Sequence, residues 1–164
     1  MIALLLAAAA AFDPCTLLTS ADIEAVQKQP PKETKASDRP AGDLVAHQCF
    51  YTLPNFAQSV AIELRKPVDK APKNAVREEW NRVTGKERKE EGKQEEEEEQ
   101  ASKPLVVKGV GRGAVWSGNA KVGALYVLVK GAIVRVSVGG AADQAGKIKA
   151  CTALAKRILA HLPK

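Results

Sequence analysis

Aromatic side chains are scarce in this sequence: three Phe, two Tyr and two Trp among 164 residues. Seven rings offer little material for the stacking platforms on which single-strand nucleic-acid binders hold bases. Two His and three Cys are equally thin stock for metal or triad chemistry. No apolar run reaches the roughly 18 residues that a membrane-spanning helix needs; the longest, Ile2 to Phe12, has eleven. The sequence also lacks a Walker motif, a zinc-type pair and a Gly-x-Ser-x-Gly elbow. No catalytic residue, metal-ligand set or cofactor site can be nominated, and the reading leans away from an enzyme.

What is present is ordinary globular material: 45% apolar and 27% charged residues, with twelve Gly and nine Pro. That composition excludes collagen, coiled coil and wholesale disorder, and the length fits one domain. The net charge of +6 is uneven. Residues 86–103 hold eight Glu against five Lys and Arg, including five consecutive glutamates, so the rest of the chain is more basic than the total suggests. Like charges at that density repel and bury nothing, which marks the tract as a solvated low-complexity insertion. The remaining cations, among them Lys28, Lys35, Arg39, Arg65 and Lys66, read as a solvated basic surface in loops and at strand ends. A specific nucleic-acid site is not expected. A basic body does allow an anionic envelope polymer as partner, alongside an envelope protein.

Residues 1–11 read as a signal peptide. Leu4-Leu5-Leu6 and five alanines form a short apolar core ending in small residues, with Ala9-x-Ala11 as a cleavage pattern. The positive n-region usual ahead of such a core is missing. The mature domain then spans 12–164 and lies outside the cytoplasm, where disulfides persist. Three cysteines allow three pairings with one thiol left over. Cys151 falls on the stripe Ile148, Cys151, Ala155, Ile158, Leu162 of a carboxy-terminal helix, where a thiol behaves as a small hydrophobe. Cys15, just ahead of the first helix, and Cys49, in a strand, are the expected partners. A sharper alternative uses His47 and Cys49, which share one face of a strand, as a metal or redox pair, with the acidic tract nearby.

Thr19-Ser20-Ala21-Asp22 is a capping box with Leu18 and Ile23 as its staple, and Pro30-Pro31 stops the helix near Gln29. Residues 32–43 are charged and read as a weak edge strand or a loop. Leu44–Leu53 and Gln58–Lys66 form an antiparallel hairpin around Pro54-Asn55. In the second strand Val60, Ile62 and Leu64 point inward, and Ser59, Glu63 and Arg65 outward. A second helix from about Asn74 carries Val76, Trp80 and Val83. Beyond Pro104 follow strands at 105–110, 113–117, 122–130 and 133–138, then a helix from Asp143 to Leu162. Gly109, Gly111 and Ala114 match a dinucleotide fingerprint, but strand rather than helix follows, so the glycines are expected to shape a bulge or tight bend.

The stretch Asp13-Pro14-Cys15-Thr16-Leu17-Leu18-Thr19, with His47-Gln48-Cys49-Phe50-Tyr51, resembles a family of small bacterial exported proteins and lipoproteins of unknown function. Val110-Gly111-Arg112-Gly113-Ala114-Val115-Trp116, the strand Leu125-Tyr126-Val127-Leu128 and the closing helix are similar to that family too. The resemblance implies an α+β domain with a flanked sheet and a Cys15–Cys49 bridge; it carries over no catalytic residue. The glutamate-rich insertion and the absence of a lipid-attachment cysteine depart from it. The expected architecture is a single α+β domain with a mostly antiparallel sheet of about 5–6 strands flanked by three helices. The expected function is a non-catalytic extracytoplasmic interaction or ligand-binding module, with an envelope enzyme or metal/redox protein built on His47 and Cys49 as the alternative. Mass spectrometry of the mature protein should place its amino terminus near Phe12 or Asp13; an intact Met1 would refute the signal peptide.

Overall fold

A computed structural model describes residues 12–86, 103–140 and 142–163. The expected leader, and all of the charged tract but its end residues Lys86 and Lys103, lie outside the described residues. The domain is α+β, with three helices, α1 (Ser20–Gln27), α2 (Ala75–Thr84) and α3 (Gln144–His161). The strands are β1 (Glu33–Ala41), β2 (Leu44–Thr52), β3 (Val60–Pro67), β4 (Leu105–Val106), β5 (Gly113–Gly118), β6 (Gly123–Val129) and β7 (Ala132–Val138). They form one open antiparallel sheet in the order β1-β2-β3-β7-β6-β5-β4.

The sheet has seven strands rather than five or six because β1 is a full nine-residue strand. Its side chains bury almost nothing, so hydrophobic periodicity is silent there. Backbone pairing to β2 from Glu33↔Thr52 to Ala41↔Leu44 defines it instead. Lys35, Asp38, Arg39 and Pro40 suit this edge, since charge and proline discourage further strand addition. At the other edge β4 is only two residues long, shorter than the stretch expected at 105–110.

Strand alternation sorts the side chains onto two faces. One face carries Cys49, Tyr51, Ile62, Leu64, Leu125, Val127, Trp116, Val134 and Val136, and these pack with Ile23, Leu154 and Ile158 of α1 and α3. This is the main core. The capping box forms as expected: the Asp22 amide donates to Thr19 Oγ1 at 3.1 Å, and the Thr19 amide donates to Asp22 Oδ2 at 2.9 Å. Asp22 then reaches α3, accepting from Arg157 Nη1 at 2.8 Å. Burial alone would raise the Asp22 pKa, but the Thr19 amide, Arg157 and His161 together hold it below the usual carboxylate range.

Cys15 and Cys49 are bonded, which ties the turn Pro14–Leu17 to β2 across the core face. Tyr51 Oη donates to the Cys15 carbonyl at 3.2 Å beside the bridge. Cys151 is fully buried and free, and burial pushes its thiol pKa up to about 12. Gly111 has φ 58, and a Cβ there would strike the Val127 side chain and the Leu128 carbonyl. With Arg112 N donating to Leu128 O at 2.9 Å, the glycines shape a tight approach to β6 and lead into strand.

Thiol titration of the native protein should find no readily reactive group, because Cys151 is shielded, and one thiol after unfolding without reductant. Closing a loop of 34 residues contributes about 4 kcal/mol on chain-entropy grounds. Cys15→Ala/Cys49→Ala should therefore lower the unfolding free energy by up to that amount in a urea titration, and an unchanged midpoint would contradict the role given to the bridge.

Candidate functional site

Three places bring chemistry-bearing side chains together. The first is the pair singled out in the sequence. His47 and Cys49 do share the core face of β2, but Cys49 is bonded to Cys15. His47 sits opposite Asp38 of β1, with Nδ1 2.8 Å from Asp38 Oδ1, and the Phe12 ring meets it edge-on at 5.2 Å. Among the described residues no group of three His, Cys, Asp or Glu side chains gathers as a metal site would require.

The second place is the opposite face of the sheet. Glu63 and Arg65, expected to point into solvent, are only 2% and 8% exposed. Register explains the burial: Glu63 lies between Gln48 and Arg135, and Arg65 between Ala46 and Ile133, all directed to the face that α2 covers. Arg39 Nη2 approaches Glu63 Oε1 at 2.7 Å and Arg65 Nη2 approaches Glu63 Oε2 at 3.0 Å. Gln48 Nε2 also donates to Glu63. Arg65 Nη1 pairs with Glu79 of α2 at 2.5 Å, and Arg82 pairs with the same carboxylate. The Tyr126 ring carries Arg65 and Arg135 at 5.5 and 5.8 Å. Burial opposes ionisation of Glu63, yet Arg39, Arg65 and Arg135 outweigh it and hold its pKa below the usual range.

This network is a clasp. Its carboxylates are filled by guanidinium donors, and it fixes α2 to β3, β2, β1 and β7. It was illegible in the sequence because alternation shows only which residues share a face. What covers that face is set by a helix ten residues further on. Glu79 did leave one signal, standing four residues after the buried Ala75 and so on the same side of α2.

The third place is an open cleft of about 560 Å³ at one end of the sheet. Its lining residues are Ala57, Ala120, Lys121, Gly139, Gly140, Ala142, Asp143 and Lys147, from four separate segments. The turn Phe56–Gln58 supplies Ala57; Gln27 Nε2 of α1 donates to Gln58 O at 2.6 Å and holds it. Gly139 follows β7, and its amide donates to Ser59 O at 3.0 Å. A side chain at Gly139 would collide with the Ala57 carbonyl, so only glycine lets these two segments close the wall. Asn119 shapes the β5–β6 turn, its Oδ1 accepting from the amides of Lys121 and Val122 at 2.8 and 2.9 Å. Asp143 caps α3 by accepting from Gly146 N at 2.8 Å.

Lys147 is the unusual member: a lysine on the core side of α3, 5% exposed. Sequence inspection passed over it, although it stands four residues before Cys151 and so on that helix's buried stripe. A lysine there is the signal that could have found it. No family model, curated protein or solved structure matches this chain.

Glu63 stabilises the fold only while ionised. Because its folded pKa lies below the unfolded value of about 4.3, that contribution is present above about pH 5 and is lost as the pH falls through the carboxylate range. Urea midpoints of the native sequence should fall between pH 6 and pH 3. Glu63→Gln should cost about 3 kcal/mol at pH 7, since it strands buried guanidinium groups, and should flatten the part of the pH dependence that Glu63 carries. An unaltered pH dependence in the variant would refute the clasp.

Proposed function

We propose that this protein is a non-catalytic, extracytoplasmic ligand-binding module, and that the cleft between β7, the β5–β6 turn and the start of α3 is its binding site. The observation that carries this reading is the cleft itself: a concavity of ligand size, its walls held by hydrogen bonds and by a glycine that packing requires. The disulfide supports an oxidising compartment. Among the described residues no helix is long and apolar enough to cross a membrane. The resemblance of the Asp13–Thr19 and His47–Tyr51 stretches to small bacterial exported proteins and lipoproteins points the same way.

The alternative, an envelope enzyme or metal/redox protein using His47 and Cys49, asks for a thiolate that the Cys15–Cys49 bond consumes. The arginine–glutamate clasp is equally unsuited to binding, because its acceptors are already filled. Native mass spectrometry of the untagged protein, purified from the envelope or medium without dialysis, should find a small molecule bound. Ala142→Trp, at an exposed position on the cleft wall, should release that molecule and leave the thermal midpoint within a few degrees. Equal bare masses for both proteins would overturn the assignment.

A further inference from the structure

We propose that the cleft binds a small oxyanion, a phosphate- or carboxylate-bearing molecule, with Lys147 as its principal ligand. The proposal rests on the ligand-binding reading above and names the ligand class.

A buried ammonium group is costly unless a partner compensates for the lost water. Lys147 is 5% exposed and lines the cleft. Every other charged residue buried in the described part of the domain has a counter-ion: Asp22 has Arg157, Glu63 has Arg39 and Arg65, and Glu79 has Arg65 and Arg82. Among the described residues Lys147 has none within 4.0 Å, and its ammonium donates no hydrogen bond to them. The main chain of Lys147 is satisfied, its amide donating to Asp143 O at 3.0 Å.

The surroundings add positive potential. Lys147 lies in the first turn of an 18-residue helix, whose amino-terminal end carries the positive pole of the backbone dipole. Asp143 takes the Gly146 and Lys147 amides, while those of Gln144 and Ala145 meet no acceptor among the described residues. Backbone amides at such an end are natural donors to an anion. Lys121 adds a second ammonium from the opposite wall. Asp143 is the one carboxylate in the lining and is committed to its cap, so cations outnumber anions. The volume suits a small molecule; a long polyanion would need an extended basic track.

The competing account is that the Lys147 stem merely fills space along α3 while its head reaches water through the cleft. Lys147→Met separates the two, since methionine keeps the stem and removes the charge. Isothermal titration at low salt should use inorganic phosphate, succinate and, as a neutral control, glucose. The wild type should bind at least one of the two anions at one per chain and ignore glucose, and the preferred anion identifies the head group. Lys147→Met should weaken that binding at least tenfold and Lys121→Gln severalfold, while Lys149→Gln, on the exposed side of α3, should leave it unchanged. Should Lys147→Met fail to fold, amide shifts in the wild type decide: Gln144 and Ala145 should move on titration. Silence of the wild type toward both anions, or undiminished binding in Lys147→Met, overturns the proposal. So does binding of long polyanions alone. A neutral molecule found in the cleft by native mass spectrometry would overturn the oxyanion and preserve the binding module; a bare protein with a silent titration removes both.

Discussion

A strand inside a sheet must send alternate side chains to opposite faces, and β3 sends Ile62 and Leu64 one way and Glu63 and Arg65 the other. Since β3 has a partner strand on each side, neither set can escape by moving to an edge. The aliphatic set fixes which face receives α1 and α3. The charged set then has to be compensated on the other face, where Arg39, Gln48, Arg135 and Glu79 meet it. Such a network contributes less through attraction, which desolvation largely offsets, than through the cost of breaking it. It therefore acts as a register lock: a slip of one residue in β2 or β7 would bury Glu63 without its donors.

The apolar face has its own ties. The disulfide pins the turn ahead of α1 to β2, and Asp22 joins the start of α1 to the last turns of α3 through Arg157. With both helices held, the amino-terminal end of α3 projects beside the end of β7 and the β5–β6 turn. The cleft is the space these segments leave. Gly139 lets the chain leave β7 pressed against Ala57, and Asn119 folds the opposite turn on itself. The walls are thus consequences of the scaffold, whereas Lys147 is not required by it.

Much of the scaffold was legible. The capping box at Thr19 and Asp22, the hairpin of β2 and β3, the strands β5 to β7 and the closing helix all follow from local chemistry: capping side chains, period-two alternation, glycine turns and a period-3.6 stripe. Cys151 was placed correctly because its helix stripe is strongly apolar, and that left Cys15 and Cys49 to pair. The misses share one cause. β1 carries no hydrophobic pattern because it buries no side chains, so only its partner strand defines it. Glu63 and Arg65 look solvated because their neighbours in space come from β1, β7 and α2. Lys147 looks like surface charge because lysines normally are.

By itself the sequence determined the α+β class, the order of elements, the cysteine left unpaired and the false dinucleotide fingerprint. Each depends on residues close together in the chain, whose backbone preferences and hydrophobic spacing act locally. Only the tertiary structure decided which charges are buried, that a ninth of the sheet's strand order starts from a residue-poor edge at β1, and where four distant segments enclose a cleft around Lys147. Burial and enclosure depend on what packs from elsewhere, and no local pattern encodes the desolvation of a charge.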